Sequence, residues 1–374
     1  MTTMTITGRH LTSRVRPDDT LELAITESEV GPPGPGEVVV RVEATPVNPS
    51  DIGLLLAGAD PATARRGDGP AVSTLLDLPP DRHGALSSRL DKPLPVGNEG
   101  AGTVVAAGPG AEPLLGRVVS GAGGGMWAEH RALKAAQLMV LDPGTDPRDA
   151  ASSFVNPLTA LGIADTAVRD GHRALVHTAA ASNLGRMLLE VCRADGLALV
   201  NVVRRDEQAE LLRTIGAEHV CVSSAPDFRE QLDTAIRATG ARVVFDAVGG
   251  GRLVGQVLRA MERVLSSDLT GYSPYGSSVR KQAHVYGRLD PGPLQIDLGI
   301  GFGWDISGWL LTPFLAGLSP DHAARLSERV AAELTTTFAS SYGAEIGLDD
   351  VLDPDVIAGF ASRGTGKKYL IRPS

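Results

Sequence analysis

Cysteine is nearly absent from this 374-residue chain, which holds only Cys192 and Cys221. Both lie inside apolar runs, "LLEVCRA" and "EHVCVSS", so they read as small buried hydrophobes and not as a disulfide. Aromatic residues make up 4% of the chain, too few for the stacking platforms that bind single-stranded nucleic acid. A net charge of −9 argues against nucleic acid or an anionic membrane as a main partner. The longest apolar stretch, around "GWLLTPFLAGL" (Gly308–Leu318), falls well short of the ~20 residues that cross a bilayer. The opening "MTTMTITGRHLTSRV" lacks the apolar core of a secretory signal. These absences lead to the expectation of a soluble, cytoplasmic protein that acts on small molecules.

The remainder is globular in composition, 43% apolar and 21% charged, with length for about two domains. The first part reads as β-rich: "LELAITE" (Leu21–Glu27), "EVVVRVEA" (Glu37–Ala44), "GAGTVVAAG" (Gly100–Gly108) and "GRVVSGAG" (Gly116–Gly123) have strand composition. Between them Ala57–Pro95 is rich in Pro, Gly, Ala and Arg without periodicity, and reads as a surface loop, a lid or a dimer arm. After "SSFVNPLTALG" (Ser152–Gly162) apolar strands alternate with amphipathic helices from Arg173 to Gly287. That alternation predicts an α/β fold with a doubly wound parallel sheet. The last stretch, "GTGKKYLIRPS" (Gly364–Ser374), reads as a closing strand that returns to the first domain.

The turn between the first of these strands and its helix is "HTAAASNLG" (His177–Gly185). A dinucleotide fingerprint needs three small residues spaced by three: for the turn, for close pyrophosphate approach and for helix–strand packing. Here they are Ala179, Ser182 and Gly185. Alanine suits the turn if its φ stays negative, and the Ser182 hydroxyl can cap the helix. Arg204 follows Gly185 by nineteen residues, in "NVVRRDEQ", where an NAD-binding chain places a carboxylate. Arg204 and Arg205 suit the extra 2′-phosphate of NADP; the alternatives are that they solvate the sheet edge or that Asp206 serves the ribose of NAD.

Six segments, in order, resemble the medium-chain dehydrogenase/reductase superfamily in its zinc-independent branch of quinone oxidoreductases and enoyl-thioester reductases. They are "ATPVNPSDIG", "PVGNEGAGTVVAAG", "VNPLTALG", the loop with "NVVRRDEQAELLRTIGAEHV", "FDAVGG" and "GTGKKYLI". The resemblance implies a GroES-like β-barrel catalytic domain (1–156 and 337–374) around a Rossmann domain (157–336), with the active site in a cleft. It implies that Asn48, Asn156 and Thr159 line the nicotinamide end. It also implies that Ser182, Asn183 and Leu184 present the loop to the pyrophosphate, that Val248, Tyr286 and Gly287 lie along the cofactor, and that Lys367 reaches it from the tail. Bland readings stand beside these: Asn48-Pro49 and Asn156-Pro157 as turn and helix starters, Tyr286 as core, Lys367 as surface. The family is usually dimeric, and "IDLGIGFGWDISGWLL" (Ile296–Leu311) is apolar enough for a homodimer contact or for core.

The zinc ligands of the alcohol dehydrogenase branch are missing. The segment "VNPSDIG" has no cysteine, and the "G-H-E" ligand motif is Gly97-Asn98-Glu99. No metal is expected, and His177 reads as a strand-end residue. The tyrosine that would donate a proton in enoyl-thioester reductases is also missing from "LLLAGADPAT" (Leu54–Thr63), which leaves Asp51 or Tyr272 as donors and favours quinones or conjugated carbonyls as acceptors. The expectation is therefore an NADPH-dependent reductase with a small-molecule substrate. The alternatives are an enoyl-thioester reductase, or an NADPH-binding redox-sensing or structural protein with little turnover.

Overall fold

The computed structural model describes residues 5–67, 72–82, 84–361 and 368–374. Its contacts divide the chain into two compact units, Met1–Val155 with Arg329–Ser374, and Asn156–Glu328.

The first unit is rich in antiparallel sheet. Ile6–Val15 pairs along its whole length with Thr20–Val30, turning at Asp19 with φ +58°. Leu11, Leu21 and Leu23 are fully buried on this pair. The opening residues thus form a long strand, which a pattern beginning at Leu21 did not announce. A second sheet runs in the order Leu138–Val140, Val118–Ala122, Glu99–Ala107, Glu37–Pro46, Tyr369–Arg372, Ala344–Gly347. The tail strand Tyr369–Arg372 does return to this unit, antiparallel to Glu37–Pro46. One core gathers Leu11, Leu55, Trp127, Val351, Phe360 and Ile371, so both stretches of sequence are needed to close it.

The reading of Ala57–Pro95 as a surface loop without regular structure is corrected. Asp60–Arg66 and Ser73–Asp77 are strands that extend the first sheet, the second of them paired with Thr20–Ala24. Ser73–Asp77 finds a partner distant in sequence, Asp60–Arg66 pairs in turn only with Ser73–Asp77, and Asp60–Arg66, with arginines and a proline, has no period-two pattern to betray it.

The second unit holds six parallel strands, first to sixth Ala174–Thr178, Ala198–Val203, His219–Val222, Val243–Asp246, Lys281–Val285 and Trp304–Gly308. Their spatial order is 3-2-1-4-5-6, the doubly wound order that reverses between the first and fourth strands. Helix Asn183–Ala194 shows why the pattern was readable: Leu184, Met187, Leu188, Val191 and Cys192 are its buried stripe, spaced for one helical face. Helix Leu253–Ser267 buries Val254, Val257, Leu258 and Met261 in the same way, each such side chain worth roughly 1.5–3 kcal/mol. Of the apolar stretch Ile296–Leu311, only Trp304–Gly308 is strand, and it forms the sheet's outer edge.

Candidate functional site

In an open parallel sheet, ligands sit beyond the carboxyl ends of the strands, where the order reverses. In the second unit, the loops after the first, second, fourth and fifth strands carry ten of the residues singled out from the sequence. The loop after the first strand is tight: Ser182 N donates to the Ala179 carbonyl at 3.0 Å, and Ala180 N to the Val202 carbonyl at 3.2 Å. Ala179 has φ +51°. The expectation of a negative φ there is corrected: the turn enters the left-handed region although no glycine is present, because those two backbone bonds hold it.

Ser182 is the N-cap of helix Asn183–Ala194, its Oγ accepting from Gly185 N at 3.1 Å. A Cβ on Gly185 would lie 2.1 Å from the Ala180 carbonyl oxygen, so backbone meets backbone and only glycine fits. The helix's own pattern gives the Leu184 amide no acceptor, and the dipole makes this end attractive to an anion. Arg186, in the same first turn, donates to Asn183 Oδ1 at 3.3 Å, and its Nε is buried without a partner among the described residues. Burial lowers its pKa. The sequence reading passed over Arg186, whose position one residue past the last glycine was the signal.

The loops after the fourth and fifth strands are tied to this one. Buried Asp246 accepts from the Thr178 hydroxyl at 2.6 Å and from Gly249 N at 2.6 Å, while Ala247 N donates back to Thr178 Oγ1. Tyr286 N donates to the Asp246 carbonyl at 2.9 Å, and Asp290 N to that of Val248 at 2.8 Å. Gly287 packs against Ala247, where a Cβ would meet the carbonyl oxygen at 2.4 Å. Asp246 and Thr178 are thus the residues that fasten the switch point together; in the sequence Thr178 lies inside "HTAAASNLG" and Asp246 inside "FDAVGG", and neither was assigned a role.

The Tyr286 hydroxyl pairs with His177 Nε2 at 2.7 Å, with the two rings stacked. His177 is fully buried in the first strand, and burial drives its imidazole down to about 3, so it stays neutral. Burial likewise raises the Tyr286 phenol.

Arg204 ends the second strand's loop and Arg205 caps the next helix, their amides sharing Gln208 Oε1 at 3.1 Å. Both side chains are exposed. Arg205 leans toward Glu207 at 3.9 Å, whereas the Arg204 guanidinium has no carboxylate partner among the described residues. Ser224 fixes the Arg204 backbone by donating to its carbonyl at 2.6 Å.

The first unit holds a buried polar cluster around Asn48. Asn48 N donates to Asp51 Oδ2 and Asn48 Nδ2 to Glu99 Oε1, each at 2.8 Å, while Asn48 Oδ1 is buried without a partner among the described residues. Asp51 also accepts from Asn98 N at 2.8 Å, and Glu99 from Phe154 N and Val155 N. Burial and then the nearby Glu99 push the Asp51 carboxyl up to about 7, against its amide hydrogen bonds. Burial also raises Glu99, opposed by the charge of Lys368. Lys368 donates to Ser152 Oγ at 2.6 Å, which in turn pairs with the Tyr342 hydroxyl at 2.9 Å.

Lys367, chosen from the sequence, lies outside the described residues. Lys368 is the lysine of that pair found in the cluster, and "GTGKKYL" alone does not say which lysine faces inward. Asn156 and Thr159 lie in the first turns of helix Val155–Arg169, Thr159 buried. Tyr272 is 94% exposed on a surface loop, so of the two donors considered, Asp51 alone sits in a structured polar cluster. Among the described residues, no three His, Cys, Asp or Glu side chains gather as metal ligands. Both cysteines are free and buried, their thiols pushed up to about 12. No described helix is long and apolar enough to cross a membrane.

A zinc-binding dehydrogenase family model matches residues 184–284. A mycocerosic acid synthase-like polyketide synthase of Mycobacterium tuberculosis is 28% identical over 250 residues, covering 66% of this chain and 10% of the synthase. The chain therefore spans only a tenth of that relative's length. A mitochondrial enoyl-[acyl-carrier-protein] reductase of Caenorhabditis elegans is 27% identical over 239 residues, 62% of this chain and 61% of that protein. Among solved structures, a Mesorhizobium loti protein provisionally named NADPH:quinone reductase superposes with a TM-score of 0.72 at 26% identity, covering 99% of this chain and 100% of that one. The strand order, the glycine-poor but tightly packed loop after the first strand and these matches are similar to those of the medium-chain dehydrogenase/reductase superfamily, in its branch of quinone and enoyl reductases.

Proposed function

We propose that this chain is an NADPH-dependent, zinc-independent oxidoreductase that delivers hydride to quinones or other conjugated carbonyl compounds. The observation that carries the reading is the pairing of a switch-point phosphate loop with Arg204, a guanidinium that no carboxylate claims among the described residues. The residues fit a dinucleotide. Helix Asn183–Ala194 offers its N-terminus to the pyrophosphate, through Ser182, Asn183 and Leu184, with Arg186 adding charge. Ala179 and Gly185 keep the turn tight enough for close approach, while Val248, Tyr286 and Gly287 bound the groove between loops.

The nicotinamide supplies the hydride when bound; what remains for the chain is binding and orientation. The resemblance assigns Asn48 of the first unit and Asn156 and Thr159 of the second each to that end, Asn48 with an Oδ1 that has no partner among the described residues. Lys367 is the tail residue assigned to the cofactor. Reduction of a quinone needs no dedicated acid as strong as an enoyl thioester does, which suits a segment Leu54–Thr63 without tyrosine. Asn98, hydrogen-bonded to Ser50 at 2.9 Å, stands where the related dehydrogenases carry a histidine ligand, so the reading needs no zinc.

Titration of the purified chain with NADPH and NADH tests the cofactor assignment. Arg204→Glu should weaken NADPH by about tenfold or more, the worth of a charge-assisted contact, and leave NADH nearly unchanged. Equal loss of both would move the 2′-phosphate elsewhere. Turnover assays with a quinone and with a crotonyl thioester then separate the quinone reading from the enoyl reductase reading that the nematode relative's name supports. Tight NADPH binding without turnover of either would favour a redox-sensing protein.

The assembly belongs to the same reading: a homodimer formed along the outer edge of Trp304–Gly308. The two unpaired cysteines suit a reducing setting such as the cytoplasm.

A further inference from the structure

The first unit has a hollow that the reductase chemistry leaves unused. Strand Ile6–Val15 runs beside the segment 127–129: Leu11 N donates to the Trp127 carbonyl and Glu129 N to that of Arg9, with His10 bridged to Ala128. Residues two apart share a strand face, so Gly8 and His10 lie on one face with Ala128 and His130. Gly8 is what lets the imidazole of His130 lie down there, since a Cβ would stand 2.8 Å from His130 Nδ1. The resulting hollow of about 340 Å³ is lined by His10, Ser28, Glu29, His130 and Arg131 among others. Gly125, at φ +66°, gives the Arg131 guanidinium its room: a Cβ there would lie 3.2 Å from Cζ.

Three polar atoms of these lining residues are buried without a partner among the described residues: His10 Nδ1, His130 Nδ1 and Arg131 Nε. Among the described residues the Arg131 guanidinium has neither a hydrogen bond nor an ion pair, and burial alone acts on it, lowering its pKa. A half-buried cation without a counter-ion is costly to keep. A bound oxyanion would answer it, because the guanidinium fork matches carboxylate and phosphate alike.

We propose that this hollow binds a small oxyanion, a carboxylate or a phosphate group, with Arg131 as the fixed charge and His10 and His130 as proton-accepting partners. The fixed positive charge disfavours a metal cation at the two histidines. Burial and then Arg131 lower the His10 imidazole, whose Nε2 faces the Thr26 hydroxyl at 3.4 Å. Burial lowers His130, with Glu129 raising it and Arg41 lowering it. Glu129 is already engaged by Arg9 at 2.9 Å, and Glu29 at the lining is the one carboxylate an incoming anion would meet. An anion raises both imidazoles, so binding draws protons in and strengthens as pH falls through their bound-state values.

The test uses the full chain with inorganic phosphate and succinate as separate probes, followed by imidazole C–H NMR and calorimetry. At least one probe should saturate and move the His10 and His130 titrations upward; phosphate alone would identify a phosphate site, succinate alone a carboxylate site. Arg131→Gln should weaken that probe by about tenfold or more, with Arg131→Lys intermediate. Equal binding by an Arg131→Gln variant with native near-UV circular dichroism would overturn the proposal. Wild-type imidazoles unmoved by either probe would overturn it too, whatever the variants do.

Discussion

Ala179 carries the turn that a glycine would make without strain. At φ +51° its Cβ crowds the following carbonyl, a cost of roughly 1–2 kcal/mol for an L-residue. Glycine would remove that cost while giving back part of it through a more flexible unfolded chain. Ala179→Gly should therefore raise the unfolding free energy by about 0.5–1 kcal/mol, read from urea unfolding, with NADPH affinity retained. A lower stability would mean that the surrounding backbone bonds, from Ser182 N and Ala180 N, relax the turn already. At this scale the sequence was informative about identity and spacing: small residues at Ala179, Ser182 and Gly185 mark the loop. It was silent on dihedral angle, because the turn at Ala179 is held by the bond from Ser182 N to the Ala179 carbonyl and by that from Ala180 N to Val202, which lies outside the motif. Arg186 and Asp246 escaped notice for a similar reason, since each matters through a neighbour that folding brings close.

Helix Pro49–Leu56 begins at Asn48, and its first turn is fastened to the segment before Glu99–Ala107 by one carboxyl, Asp51, which accepts from Asn48 N and Asn98 N. The Asp51 pKa is raised from an ordinary value near 3.8 to about 7 by burial and by Glu99. A group raised in the folded state contributes stability that is fully present below the unfolded value and lost as pH rises through the folded one. Relative to Asp51→Asn, the unfolding free energy of the native chain should thus fall between about pH 4 and pH 7 and be flat above that. A difference that stays constant across this window would show that Asp51 is ionised throughout. Elements with an internal pattern, such as helix Asn183–Ala194, were legible before folding. The strands of Ala57–Pro95 were not: Ser73–Asp77 is recruited by Thr20–Ala24, more than forty residues away, and its composition alone does not specify a partner.

At the scale of the whole molecule, the second unit's sheet ends in an unpaired edge. Trp304–Gly308 pairs on one side with Lys281–Val285 and with no described strand on the other. Unprotected edges are templates for another chain, and proteins that leave them alone usually blunt them with charge or proline. Here the flanks are apolar instead: Leu298 is 85% exposed, Phe302 80% and Leu310 63%. Large exposed side chains that flank the open edge in sequence suit the proposed homodimer, in which a second copy aligned by a two-fold axis would offer the same edge in return. Light scattering should give twice the 38.9 kDa chain mass. Replacing Trp304 and Leu310 together by lysine should shift the population to the single-chain mass, because like charges would then face each other across the axis. Both positions are partly or largely exposed, so the variant's circular dichroism should remain native. A native-like variant that keeps the doubled mass would place the contact on a different surface, and a wild-type chain of single mass would leave the edge to another partner.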